Sequence, residues 1–278
     1  MDEGGSSGRG TVSTYIRALD VLSMALQASK SARSTSADVW GITSPDELMD
    51  LRSYVIGEQE KFNKNSTGIF AALSGGRCYY TNRWCSAALK KLAMFRQTND
   101  YIDDLNKALA EVDTGVDVAR KAARIKMTNT RCFMPDDIDP ASREGRDVAA
   151  TAKRRINQSV FRSWIISIYG TKCCVTGLNV PEILRASHIV EWAKSAANRM
   201  NPSNGLCLSA TYDTAFDRHL ISFDDDYRMI LSKRISDFCS NRACRDYFKA
   251  FEGKRISLPV KFLPDKSLLA KHRELLVS

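Results

Sequence analysis

The sequence predicts an α+β protein: a mostly helical N-terminal domain over about 11–127, a linker over 128–150, and a C-terminal domain of short strands and helices over 151–278. Three observations predict it. Apolar residues recur at helical spacing through the first 126 or so positions. Residues 128–148 then gather Pro135, Asp136, Asp137, Asp139, Pro140, Gly145 and Asp147 with few large apolar side chains, the composition of a connection. After Gly170 the pattern shortens to strand, turn, strand, loop and helix.

Taken in order, the polar, glycine-rich MDEGGSSGRG lacks the apolar stretch of a signal peptide and reads as a flexible leader. Ile16, Leu19, Leu22 and Leu26 mark a helix over 11–27. Ser44-Pro45-Asp46-Glu47 is a helix start, with a hydroxyl cap, proline at the first position and acids in the first turn. Leu48, Leu51, Val55 and Phe62 extend that helix to about 62. A loop at Gly75-Gly76 precedes a helix from Ser86 to about Arg96, and another runs from near Asp100 to about 126. Beyond the linker, Ile156, Val160, Trp164 and Ile168 trace a helix that Gly170 would cap. Cys173–Thr176 and Leu184–Val190 read as strands, 195–203 as a polar loop and 209–216 as a short helix. A hairpin comes next, 220–223 and 228–231, around the solvated tip Asp224-Asp225-Asp226.

No run approaches the roughly 18 apolar residues of a membrane span, so no membrane partner is expected. Eight cysteines without an export signal point to free thiols in the cytoplasm. Their spacing lacks the two close pairs of a structural zinc site, so zinc is not expected. Net charge is +9. Residues 1–150 carry 20 Lys and Arg against 20 Asp and Glu, whereas residues 151–278 carry 21 against 12. The excess sits in the second half, which favours a polyanionic partner, nucleic acid above all.

The chain has three histidines, at 188, 219 and 272. His188 lies on the second expected strand, in Ala186-Ser187-His188-Ile189; Asn204 comes 16 residues later and Asp213 nine after that. Phosphodiester hydrolysis needs a base for water, a cation to absorb phosphate charge, and rigid positioning. Histidine titrates near neutrality and suits the base. A helix carboxylate such as Asp213 suits a hard cation. An asparagine, with donors and acceptors, can tie a loop to itself. The plainer alternatives are a structural histidine, a turn asparagine and a solvated carboxylate.

These residues carry a resemblance. C-V-T-G, then A-S-H-I-V-E-W, then N-R-M-N-P-S-N-G-L-C-L-S-A-T-Y-D-T-A-F-D-R-H-L-I-S-F resembles the HNH (ββα-metal) endonuclease domain over about 158–235. The closest form is the bacterial restriction-type branch whose first motif reads S-H-I. The resemblance implies a ββα-metal nuclease domain, with catalytic His188 as general base, Asn204 as the loop-stabilising asparagine and Asp213 as metal ligand. It implies one divalent cation, Mg²⁺ or Mn²⁺, double-stranded DNA as substrate, and 5′-phosphate and 3′-hydroxyl products. Many members carry Asp or His just before the base; here Ser187 stands in that metal-ligand position.

Arg185, Arg199, Arg218 and His219 are candidates for phosphate contacts, although Arg199 could equally be a solvated loop residue. Asp217 reads as a local cap or as a partner of Arg218, and Trp192 as a packing residue. Cutting both strands takes two sites or two successive nicks, so a homodimer is a reasonable expectation.

In the first half, Arg77-Cys78-Tyr79-Tyr80-Thr81-Asn82-Arg83-Trp84 interleaves aromatic and basic residues, which suits either base stacking or a strand or turn packed on helices. Balanced charge argues against an independent non-specific DNA binder. The expectation is a DNA endonuclease of restriction or defence, its helical module supplying specificity or assembly. The alternatives are a phage or mobile-element nuclease and a catalytically degenerate DNA-binding protein of the same fold.

Overall fold

A computed structural model of the chain describes residues 12–29, 38–128, 131–136 and 142–276. The expected leader, and residues 129–130 and 137–141 of the expected linker, lie outside them. The elements run α1 (Val12–Ser29), α2 (Pro45–Asn65), α3 (Arg77–Thr81), α4 (Trp84–Glu111), α5 (Gly115–Arg124), α6 (Arg143–Ile168), β1 (Leu184–His188), β2 (Gly205–Ser209), α7 (Ala210–Asp217), β3 (Ile221–Phe223), β4 (Met229–Leu231), α8 (Lys233–Phe238), α9 (Arg242–Tyr247) and α10 (Lys266–Arg273). They form two compact units, Met1–Tyr101 with Met127–Ala152, and Ile102–Lys126 with Lys153–Ser278.

The first unit is helical among its described residues. Leu19, Leu22 and Leu26 of α1 are buried, while Ile16 of the same series faces out. Ser44 caps α2 as its sequence requires, its hydroxyl accepting from the Glu47 amide, with Pro45 in the first turn. The aromatic and basic stretch is not a base-stacking ribbon. It forms α3, where Tyr80 stacks on Phe70 with ring centroids 4.8 Å apart, and Arg77 lies over the Phe62 ring. Its aromatics belong to the core.

Three helical expectations change. No break separates the expected helices near 97–100: Gln97 is buried, and α4 continues through it. The helix expected to reach 126 ends at Glu111 and restarts as α5, where the Thr114 hydroxyl accepts from the Asp117 amide. Residues 143–150 of the expected linker are helical, being the start of α6.

The second unit groups residues differently from a cut at 127–150. Asn106 accepts from the Trp164 indole, and Lys153 donates to the Ile125 carbonyl, so 102–126 packs with the chain from 153 onward. Val160, Phe161, Trp164 and Ile165 of α6 are buried in this unit. The helix ends in a left-handed turn, Gly170 at φ 62°, where the Thr171 amide donates to the Ile166 carbonyl.

The strand pairing also differs from expectation. Cys173–Thr176 is a turn, not a strand: the Cys173 amide donates to the Leu178 carbonyl and the Gly177 amide to the Cys173 carbonyl, with Gly177 at φ 73°. The partner of β1 is β2, antiparallel, with Ser187 opposite Leu206 and His188 opposite Gly205. Helix α7 comes directly after β2 and packs on both strands. β3 and β4 form the expected hairpin. The strand, strand and helix order is that of a ββα unit, with a long loop, 189–204, between its strands.

Candidate active site

The loop is built around Asn204, which is fully buried. Its side-chain oxygen accepts from the Val190 amide at 2.8 Å. Its side-chain nitrogen donates to the carbonyls of Val190 at 3.0 Å and Asn198 at 3.1 Å. Nearly the whole amide is thus spent on folding the loop back, which makes Asn204 a positioning residue. Helix α5 supports the loop from outside. A Cβ on Gly115 would stand 2.1 Å from the Asn201 side-chain oxygen and 2.6 Å from the Ser203 hydroxyl, so only glycine permits the approach.

His188 closes β1 at the mouth of this loop. Its Nε2 lies 3.1 Å from the Arg199 carbonyl oxygen. A carbonyl only accepts, so Nε2 carries the proton and Nδ1 keeps its lone pair. Phe161 of α6 stacks face to face on the imidazole, centroids 3.9 Å apart at 14°, and Trp192 meets its edge at 5.5 Å. Burial between these rings lowers the imidazole pKa below its ordinary 6.5, only partly offset by the Arg199 carbonyl. His188 is therefore neutral at neutral pH, with Nδ1 as its basic atom.

The open recess that His188 lines has a volume of about 670 Å³. Ser187, Asp213, Asp217 and Glu191 line it as well. Ser187 is buried, and its hydroxyl donates to Asp213 Oδ1, so the two residues expected at the metal are bonded to each other. Glu191 pairs with Lys194 at 2.5 Å. Asp217, expected as a local cap or a partner of Arg218, is neither. It stands one turn beyond Asp213 on α7, in the recess. Burial first, then the charges of Asp213 and Glu191, push its carboxyl up to about 6. Among the described residues, no three His, Cys, Asp or Glu side chains converge closely enough to hold a metal ion.

The remaining candidates divide. Arg185 lines the recess, its guanidinium held by the carbonyls of Glu182 and Leu184. Arg199 is a fastener of the loop: its Nε donates to the Trp192 carbonyl at 2.9 Å, and its guanidinium lies over the Trp192 ring. Arg218 ends α7 outside the recess lining. His219, in left-handed conformation at φ 53°, turns its ring to His272, Nδ1 to Nε2 3.1 Å, and does not line the recess. Sequence reasoning misses Phe161, Arg162, Glu191 and Asp217 as site residues. Only Asp217 has a local signal, four residues after Asp213 and so on the same helix face.

Residues 173–224 match the family described as HNH endonuclease. The match spans the Cys173 turn, β1, the loop, β2, α7 and β3, and it supports nuclease activity on DNA. No curated protein matches the chain. Among the described residues no helix is long and apolar enough to cross a membrane.

Proposed function

We propose that the second unit is a metal-dependent DNA endonuclease with His188 as general base. One observation carries the reading: Nε2 is tied to the Arg199 carbonyl while Nδ1 has no partner among the described residues, on a ring that lines an acid-bearing recess. A water beside Nδ1 gives up its proton to that nitrogen as its oxygen bonds to phosphorus. The bond from phosphorus to the 3′ oxygen breaks, and that oxygen takes a proton from solvent. Asn204 and Phe161 hold the imidazole in place for this transfer.

The carboxylates of Asp213 and Asp217 are hard oxygen donors, which suit Mg²⁺ or Mn²⁺ with phosphate and water completing the shell. Burial raises the Asp217 carboxyl first and the charges of Asp213 and Glu191 add to it, a rise that a bound cation would reverse. Bound there, a divalent cation would absorb charge on the phosphate and the leaving oxygen. Ser187 serves by orienting Asp213 rather than as a ligand. Restriction or another defence role is the biological setting this reading favours, and a dimer would allow both strands to be cut.

The test is plasmid cleavage by wild type and His188→Ala with Mg²⁺, Mn²⁺ or EDTA, on modified and unmodified DNA. Metal-dependent cutting that the variant loses while still binding DNA is the expected result. A second reading, a DNA-binding protein with a degenerate site, is favoured by the engagement of Ser187 with Asp213. Binding without cutting by wild type under every metal would select it.

A further inference from the structure

Basic side chains line the recess beside the acids, and three of its lining residues, Gln158, Phe161 and Arg162, belong to a helix that lies before the matched segment. Gln158 and Arg162 of α6 line the recess beside Arg185 of β1. Arg155 precedes them by three and seven positions, which puts it on the same face of α6, pointing back along the helix from the recess. Arg154 and Arg155 are exposed, and Arg162 is half-buried.

The arginines of that face are among the cations of this unit without a carboxylate partner among the described residues, as are Lys172, Arg218 and Lys271 elsewhere; what distinguishes them is their place along one helix face and at the recess. Lys107, Arg120, Lys121, Lys194, Arg242, Lys249, Lys261 and Arg273 each pair with a carboxylate. Arg154, Arg155, Arg162 and Arg185 pair with none among the described residues. Among the described residues the guanidiniums of Arg162 and Arg185 hydrogen-bond to main-chain carbonyls, those of Pro181, Glu182 and Leu184. Such bonds orient a guanidinium without neutralising it, leaving donors for a planar anion.

We propose that the Arg155–Gln158–Arg162 face of α6, continued by Arg185, is a track for the phosphate backbone of a DNA duplex that delivers one phosphate into the recess. The proposal rests on the nuclease reading for the direction of delivery, and on charge alone for binding. At about 1.5 Å rise per residue, Arg155 to Arg162 spans roughly 10 Å, about three base pairs measured along the duplex axis. The unpaired cations then displace counterions from the duplex on binding.

Binding of a labelled DNA duplex, followed by fluorescence anisotropy in EDTA across a salt series, tests this. The proteins are the full chain, Arg155→Ala/Arg162→Ala, Arg155→Lys/Arg162→Lys, Arg154→Ala/Arg155→Ala and the control Arg242→Ala/Lys249→Ala. The first double variant is expected to weaken binding at least tenfold and to flatten the slope of log K against log salt by about 0.9 per lost phosphate contact. The exposed Arg154→Ala/Arg155→Ala variant, which leaves the packed part of α6 intact, should flatten it too. The lysine variant should keep most of the slope, and the control all of it. Wild-type affinity and slope in both alanine variants would overturn the track, as would failure of wild type to bind the duplex. Cleavage by the same preparations with Mg²⁺ separates the two readings. Cutting with an unchanged slope removes the track and keeps the nuclease; binding through α6 without cutting does the reverse.

Discussion

Two histidines of the second unit sit in near-identical settings. His188 stacks on Phe161 with centroids 3.9 Å apart, and His272 stacks on Phe216 at 3.8 Å. Each places Nε2 at 3.1 Å from a main-chain carbonyl, Arg199 for one and Phe216 for the other. Both imidazoles are lowered below 6.5, burial being the first cause in each case. They differ at Nε2, which in His272 also meets His219 Nδ1 at 3.1 Å, and part further at the second nitrogen. Nδ1 of His272 meets the Ser222 hydroxyl at 3.0 Å inside the core, whereas Nδ1 of His188 has no partner among the described residues. A buried ring on a phenylalanine face is thus no mark of catalysis. The free lone pair beside a recess is the feature that fits His188, and not His272, to the proposed role of base.

The comparison breaks most visibly in cleavage. His188→Gln should cost roughly 10²- to 10⁴-fold in plasmid cleavage rate, the usual contribution of a general base. His272→Gln should leave that rate within a few-fold, and comparable losses in both would erase the distinction.

Stability against pH should show the opposite ranking. His272 titrates at about 4 when folded, below the 6.5 of an unperturbed imidazole. The unfolded chain therefore takes up that proton first. The stability is fully present above pH 6.5 and drains away as pH falls toward 4. The loss is about 3 kcal/mol at most, from 1.36 kcal/mol per pKa unit. Denaturant melts at pH 7 and pH 4 should show His272→Gln losing less than wild type by that margin.

Next in size, Phe161→Leu and Phe216→Leu should each cost about 1–3 kcal/mol in stability through lost packing. Only the first should also slow cleavage, by something like tenfold, because only it frees a working imidazole. Equal cleavage by the two variants would show that Phe161 packs without positioning. The smallest effect is a shift in the pH–rate profile. The acid limb of cleavage should lie below pH 6.5, since burial keeps His188 neutral there. Trp192→Ala admits water to the ring edge and should move that limb upward. A limb that starts above 6.5 in wild type would assign it to another group.

Much of this contrast is legible in the sequence, but not its cause. His188, Asn204 and Asp213 stand at motif spacings, and Ser44 and Gly170 announce their helix ends through local chemistry. Phe161 gives no such signal, because a ring that stacks across 27 residues depends on tertiary geometry that no periodicity records. β2 is hidden for a related reason. All five of its residues are buried, so it lacks the alternation that marks a half-exposed strand. Cys173–Thr176 resembles a strand because its cysteines and valine suit one. Its hydrogen bonds instead close a turn on Leu178 and hold β2 through the Cys207 carbonyl. The continuity of α4 is masked by a polar stretch that reads as a break, although its Gln97 is buried.

The position of Phe161 on α6 also sets the smallest piece of this protein that could be moved elsewhere and still work. A graft of 173–224 alone would bring the histidine without the ring beneath it. It would also lose the Ser257 amide that holds the Cys174 carbonyl and the Asp265 amide that holds the Ser203 carbonyl. The transplantable part is accordingly the whole second unit, α5 included, and a chimaera that stops at the motif should inherit the letters of the site without its grammar.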